Sequence, residues 1–274
     1  MNYLTKFYLY EIEDLAPYGL LHLFSIILLI IGIVCFVIIA NKYKDKHTRW
    51  IVLGFGIAFI FLEIYKQVWF NFIYQESATY YWGHFPFQLC TTPMYVCLIS
   101  VVVSEKWRRY LHSYLSFYGL VAGIAVMVYP DTIFVDNVSI TVESLIWHGL
   151  MVILGIYLSI VNDFGKNIKE MIPAIIIFSI LVTIACTFNY VFECCKGISG
   201  ITDSFNMFYI SPYYDTVLPI LNDIKQNVPW VIFLLSYIVG ISIGALAIWG
   251  LTYLVSKLNS NFRLKHLEKG IFNQ

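Results

Sequence analysis

Residues 20–40 read LLHLFSIILLIIGIVCFVIIA, an apolar run that contains no Asp, Glu, Lys or Arg. A helix of this length spans the hydrocarbon core of a bilayer, which is roughly 30 Å thick. Similar runs recur along the whole 274-residue chain, in which 59% of the residues are hydrophobic and only 12% are charged. The sequence therefore predicts a single all-α transmembrane domain over residues 1–274 rather than a soluble protein.

The apolar runs predict seven transmembrane helices, because backbone polar groups in lipid must be paired within each segment. The predicted spans are residues 20–40, 50–72, 86–103, 113–129, 140–161, 171–192 and 229–255. A long connection over residues 193–228 precedes the last span. This connection is interpreted equally well as a lid over a cavity or as a solvated connector.

The segments between the predicted helices alternate in charge. Segments 41–49, 104–112, 162–170 and 256–274 carry thirteen Lys or Arg and five Asp or Glu, whereas segments 1–19, 73–85, 130–139 and 193–228 carry three and ten. The positive-inside rule assigns the first set to the cytoplasm. The predicted topology therefore has the N-terminus and the long connection outside and the C-terminus inside. A net charge of zero and the lack of a basic arm predict no nucleic-acid partner.

Two reactive side chains, Cys90 and His148, fall in the outer halves of predicted helices. The rise per residue places Cys90 about 7 Å and His148 about 12 Å inside their helices. A buried thiol becomes a nucleophile only beside a base or a cation, and a neutral imidazole can take its proton. The pair therefore predicts a nucleophile and a general base that act on lipid esters. The competing interpretation is that both residues only pack in the bundle.

Three further charged residues lie within predicted helices. Glu63 and Lys66 are three residues apart and share one face of the second helix. Because charge at the middle of a bilayer is costly, both are expected to point into the bundle, either as a packing ion pair or as support for the reaction. Glu143 opens the fifth helix and is expected to be an interfacial charge near a positive helix end.

Polar residues at the outer ends of the helices complete the predicted site. Gln88 and the backbone N–H groups after Pro86 are candidate donors to an oxyanion. His84 is an alternative base. Asp131 and Asn189 belong to the supporting polar shell, and Asn189 is placed to orient the imidazole of the predicted base. No metal-ligand spacing is present, so the sequence predicts no metal site.

Several short motifs carry a resemblance to a known family. They are PFQLC at 86–90, YPD at 129–131, WHG at 147–149, NY at 189–190 and PW at 229–230. Their order, and the 58 residues from Cys90 to His148, resemble the YwaF-type integral membrane proteins of bacteria. The pattern is also similar to the related animal transmembrane acyltransferases that remodel ether phospholipids.

The resemblance implies acyl transfer from a phospholipid to a lysophospholipid, without a cofactor, in the bacterial cell membrane. It implies that Cys90 forms an acyl-enzyme with the help of His148. Bacterial relatives often carry a His where this chain has Gln88, so a proton-transfer role is not carried over to that position. Three alternatives stay open: a lipid hydrolase, a transporter of lipids or small molecules, and a non-catalytic lipid-binding scaffold. The lack of an internal repeat counts against the transporter.

Overall fold

The computed structural model describes residues 16–43, 47–74, 80–135, 137–199 and 203–271, so most of the predicted outer N-terminal segment 1–19 lies outside the described residues. Within these ranges, six helices are long and apolar enough to cross a membrane: Leu20–Lys42, Thr48–Asn71, Glu105–Val128, Val138–Val161, Ile168–Lys196 and Trp230–Leu258. The protein is all-α, and these helices indicate an integral membrane protein.

The helices form one bundle around a central helix, α6. Their bounds are α1 Leu20–Lys42, α2 Thr48–Val68, α3 Thr92–Val102, α4 Glu105–Tyr114, α5 Leu120–Val128, α6 Val138–Val161, α7 Met171–Ser199, α8 Pro219–Asn227 and α9 Trp230–Ile271. A π-helix, Trp69–Tyr74, extends α2, and a second one, Leu115–Gly119, joins α4 to α5. Helix α6 packs against α1, α2 and α5. It approaches α5 closely because Gly155 has no side chain: a Cβ there would lie 2.7 Å from the Cβ of Leu120.

The prediction of a continuous third helix over 86–103 is wrong in its first part. The helix begins only at Thr92, and residues 85–91 form an irregular segment. Pro86 and Pro93 have no N–H; a proline is tolerated in the first turn of a helix, where that N–H would have no partner in any case. The Tyr95 hydroxyl donates to the Pro86 carbonyl at 2.7 Å, which pairs part of the irregular backbone. Cys90 therefore lies in the turn ahead of α3 rather than within a helix.

Other predicted bounds differ because hydropathy marks the apolar part of a helix and not its ends. The predicted span 113–129 begins earlier, at Glu105, where the Arg108 N–H donates to the Ser104 carbonyl at 2.9 Å. Helices α7 and α9 run beyond the predicted spans 171–192 and 229–255. The predicted span 140–161 agrees with α6 to within two residues, and the Asn137 side chain caps its start by accepting from the Ile140 N–H at 3.1 Å.

Part of the long connection, residues 203–218, packs against the bundle. We call residues 203–218 the capping segment, because its apolar side chains Phe205, Met207, Phe208 and Ile210 are buried against the bundle. The Asn189 side chain binds the segment twice, donating to the Met207 carbonyl at 3.0 Å and accepting from the Met207 N–H at 2.7 Å. The Trp230 indole donates to the Ile210 carbonyl at 2.8 Å. These contacts fix the segment over one end of the bundle.

Candidate functional site

The turn that carries Cys90 is held by helix α6. The Trp147 indole Nε1 donates to the Cys90 carbonyl at 2.8 Å. This carbonyl lacks the usual helical donors, since Pro93 has no N–H and the Met94 N–H binds the Thr91 carbonyl at 3.2 Å instead. From the sequence alone, Trp147 was indistinguishable from an aromatic residue of the membrane interface. In the structure this side chain sets the position of the peptide next to the thiol.

Two backbone donors beside the thiol have no partner in another residue that the structure describes. The N–H groups of Leu89 and Cys90 form no hydrogen bond to another described residue, and the Cys90 N–H interacts with its own sulfur, whereas the N–H groups of Thr91 and Thr92 both donate to the Gln88 carbonyl, at 2.9 and 3.2 Å. The Leu89 and Cys90 donors precede the first turn of α3, where the helix dipole is positive. Such a position favours negative charge, as carried by a thiolate or an oxyanion.

A lysine provides a cation next to the same turn. Lys66 pairs with Glu63 at 2.7 Å, and its ammonium lies 5.5 Å from the centre of the Trp147 ring. It interacts electrostatically with both Cys90 and His148. A cation in such a place offsets only part of the desolvation, which favours the neutral thiol over the thiolate, so the thiol still needs a base to become a nucleophile.

A glutamine that the sequence analysis missed connects this ion pair to the loop before α3. The Gln67 amide donates to the Glu63 carboxylate at 2.7 Å and to the His84 carbonyl at 2.7 Å, and its oxygen accepts from the Tyr80 hydroxyl at 2.9 Å. The Asn71 side chain donates to the Gln67 carbonyl at 2.9 Å. Residues 63, 67 and 71 follow one another at four-residue spacing, so a polar stripe on an otherwise apolar helix was visible in the sequence.

His148 is buried in α6 with one ring nitrogen bound. Its Nδ1 lies 2.7 Å from the Ser144 carbonyl. Because a carbonyl only accepts, Nδ1 must carry the proton, which leaves Nε2 as an acceptor. This is the tautomer that a general base requires. In the part of the chain that the structure describes, no hydrogen bond joins His148 to Cys90; the imidazole lies one residue along α6 from the indole that contacts the Cys90 peptide.

A cavity of about 280 Å³ lies beside Lys66 and the turn before α3, and Cys90 and His148 are not among the residues that line it. On one side it is lined by Lys66, His84 and Gln88, and on the other by the capping segment, including Tyr209 and Asp215. The cavity therefore gives a solute or a lipid headgroup access to the ammonium of Lys66 and to the turn beside it.

Two predicted residues line this cavity in supporting positions. Burial and the charge of Lys66 lower the pKa of His84 to about 4, so its ring is neutral, and it stacks on Phe70 at a centroid distance of 3.5 Å. The Gln88 amide donates to the Asn206 carbonyl at 2.9 Å and accepts from the Phe208 N–H at 2.8 Å. Gln88 therefore ties the capping segment to the turn that carries the thiol.

Two other predicted residues lie apart from this group. Asn189 binds the backbone of the capping segment through both atoms of its amide and does not contact His148, whose Nδ1 is bound within its own helix. Asp131 is exposed beyond the end of α5, where it contacts the Tyr129 hydroxyl. Neither residue completes a polar shell around the imidazole.

Glu143, which the sequence places near the start of its helix, is enclosed by protein. It is buried, with 5% of its surface exposed, and accepts a hydrogen bond from the Ser144 hydroxyl at 3.3 Å. It interacts electrostatically with Lys66 and Glu63. The ammonium of Lys66 therefore faces two carboxylates, one on its own helix and one on α6.

Comparison with known families adds one finding. The sequence profile of the TMEM164 family matches residues 17–253. This range includes most of the chain and every residue of the candidate site described above. No curated protein and no solved structure gives a significant match to the chain.

Proposed function

The chain belongs to the TMEM164 family, and we propose that it transfers or hydrolyses the acyl groups of membrane lipid esters through a thioester on Cys90. The observation that carries this proposal is the turn before α3. Its thiol follows backbone donors that bind no other described residue, it interacts electrostatically with Lys66, and Gln88 of the same turn lines a cavity. A packing cysteine needs none of these features.

In the proposed reaction Cys90 is the nucleophile and His148 the general base. His148 Nε2 takes the thiol proton, and Cys90 Sγ attacks the ester carbonyl carbon to form a C–S bond. The oxyanion that results is stabilised by the N–H groups of Leu89 and Cys90. Collapse breaks the C–O ester bond, and the leaving alkoxide takes the proton from His148. A second hydroxyl, from a lysophospholipid or from water, then gives its proton to His148 and forms a C–O bond to the thioester carbonyl carbon. The C–S bond breaks, and the leaving Cys90 thiolate takes the proton back from His148.

The substrate class rests on the resemblance to the YwaF-type proteins and to the animal acyltransferases. It favours a phospholipid as the donor, a lysophospholipid as the acceptor, and the bacterial cell membrane as the location. The site agrees with a lipid ester in one respect: its polar groups lie in a bundle whose helices expose apolar side chains. An ester carbonyl at the boundary of the headgroup region can approach such a site from the bilayer.

We further propose that the N-terminus lies outside, the C-terminus inside, and that residues 85–91 together with α3 make the third of seven crossings. The alternation of charge supports this orientation. Irregular backbone at membrane depth is tolerated where protein surrounds it, as it is around this turn.

An impermeant maleimide applied to intact cells tests the orientation. The exposed thiols of Cys194 and Cys195 should be labelled. In a variant that lacks both, Ser104→Cys at the opposite end of the bundle should stay unlabelled until the cells are opened. Labelling of Ser104→Cys in intact cells would reverse the topology.

The test of the chemistry is the mass of the purified protein after incubation with phospholipid vesicles. We expect one acyl group on Cys90 that hydroxylamine removes, no acyl group in Cys90→Ala, and slow acylation in His148→Ala. Cys97→Ala is the matched control, because Cys97 is fully buried in α3 and should not carry the acyl group. Acylation that persists in Cys90→Ala would overturn the proposal. Flux of a solute into liposomes without acylation would favour the transporter instead.

A further inference from the structure

The capping segment contains two consecutive residues with left-handed backbone. Phe208 has φ 59° and ψ 8°, and Tyr209 has φ 57°. This region suits glycine and is uncommon for bulky side chains, which pay a conformational cost there. Such strain persists only where surrounding contacts hold it, and it occurs often at functional sites.

The contacts that hold this backbone come from distant parts of the chain. The Phe208 N–H donates to the Gln88 side chain at 2.8 Å, and the Met207 N–H donates to the Asn189 side chain at 2.7 Å. Phe208 itself is buried. The direction of the Tyr209 side chain is therefore fixed by the turn before α3 and by helix α7.

The Tyr209 side chain lines the cavity together with Lys66 and Gln88, and it interacts electrostatically with Cys90. Its hydroxyl forms no hydrogen bond to any residue that the structure describes. Tyr214, which lines the same cavity, differs in this respect: its hydroxyl donates to Glu193 at 2.7 Å and accepts from Lys196 at 2.6 Å. Tyr209 thus offers a donor to whatever occupies this cavity, which Gln88 of the Cys90 turn also lines.

We propose that Tyr209 is a catalytic residue whose hydroxyl donates a hydrogen bond to the carbonyl oxygen of the lipid ester while Cys90 attacks. This inference rests on the proposed function. As the C–S bond forms, the π electrons of the carbonyl move to its oxygen, which Tyr209 stabilises without giving up its proton. Collapse re-forms the carbonyl and expels the alkoxide, which is protonated by His148.

The protonation state of the phenol agrees with this role. Burial, and to a smaller extent Cys90, raise the pKa of Tyr209 to about 12. The hydroxyl therefore stays protonated at neutral pH and acts as a donor. A preorganised donor of this kind contributes roughly 10²- to 10³-fold to the rate of an acyl transfer.

The test compares two reactions of the same thiol in Tyr209→Phe, which keeps the ring and removes only the donor. Acylation of Cys90 by phospholipid vesicles passes through an oxyanion and should slow about 10²-fold, with kcat reduced and KM unchanged. Alkylation by iodoacetamide forms no oxyanion and should proceed at the wild-type rate. Tyr213→Phe, an exposed tyrosine of the same segment, is the matched control and should leave both reactions unchanged.

Three results would overturn the inference, and they differ in what else they affect. Wild-type acylation rates in Tyr209→Phe would refute the role of Tyr209 and leave the acyl-enzyme intact. A parallel loss of alkylation and acylation would show that Tyr209 only shapes the site. Absence of an acyl-enzyme in the wild-type protein would refute the proposed function and this inference together.

Discussion

Replacement of Trp147 by Phe should slow the chemistry at Cys90 while leaving an aromatic ring in the core. The indole donates to the Cys90 carbonyl at 2.8 Å, and Trp147 is only 3% exposed, so water does not easily replace the lost donor. An unpaired buried carbonyl costs about 1–3 kcal/mol. If the turn relaxes to pair this group elsewhere, the thiol moves with it, and a cost of this size corresponds to a roughly ten- to hundredfold slower acylation.

The assay is the rate of acylation by an activated short-chain ester in detergent, measured together with the thermal unfolding temperature. Trp249→Phe is the control, because Trp249 Nε1 is buried and has no hydrogen-bond partner in the described ranges. Loss of that N–H should leave acylation unchanged and the unfolding temperature equal or higher. Wild-type acylation in Trp147→Phe, or an equal loss in Trp249→Phe, would refute the reasoning.

Three further predictions concern stability and pH, all measured by thermal unfolding in detergent. Gly165→Ala should destabilise the protein by about 1–3 kcal/mol, because the added Cβ would lie 2.5 Å from a backbone oxygen of α9. Gly54 has open space around it, so Gly54→Ala should be neutral or slightly stabilising. Equal effects of the two substitutions would contradict this reasoning. Glu63→Gln should destabilise by up to about 3 kcal/mol, because it removes the nearer of the two carboxylates that face the partly buried Lys66 ammonium. Lys66→Met in the same chain should recover part of that loss; an unchanged stability of the single variant would disprove the importance of the pair. The pKa of His84 is about 4 in the folded state, below its unfolded value near 6.5. Between these two pH values the unfolded chain therefore binds more protons than the folded one. The free energy of unfolding should fall as the pH drops from about 6.5 toward 4. His84→Asn should show a smaller fall, and an equal fall would exclude His84 as its source.

The transmembrane helices were predictable where an apolar run and a helix have the same ends. Helix α1 begins at Leu20, as its hydropathy indicates, and α6 begins beside the capping Asn137. The third helix was not predictable in this way, because hydropathy cannot distinguish a buried irregular segment from a buried helix. The two prolines at 86 and 93 were the available signal.

The site was predictable only in part for a similar reason. Cys90, Lys66 and His148 are conspicuous because reactive or charged groups are costly in lipid. Trp147 was indistinguishable from the aromatic residues that line membrane interfaces, and its role depends on a contact between two helices. The contribution of the capping segment depends on packing between parts of the chain far apart in sequence, which no local pattern encodes.

The turn around Cys90 also has a consequence for the order of biosynthesis. Its partners are made much later than the thiol: Trp147 follows by 57 residues, and the backbone groups that bind Gln88 follow by about 120. A chain that is inserted from its N-terminus exposes α3 to the insertion machinery before α6, α7 and the capping segment exist. Lys66 is made before the thiol, but the anchor of its peptide appears only with α6 and the cavity only with the capping segment. We therefore expect the thiol to stay unreactive on nascent chains until both have been inserted.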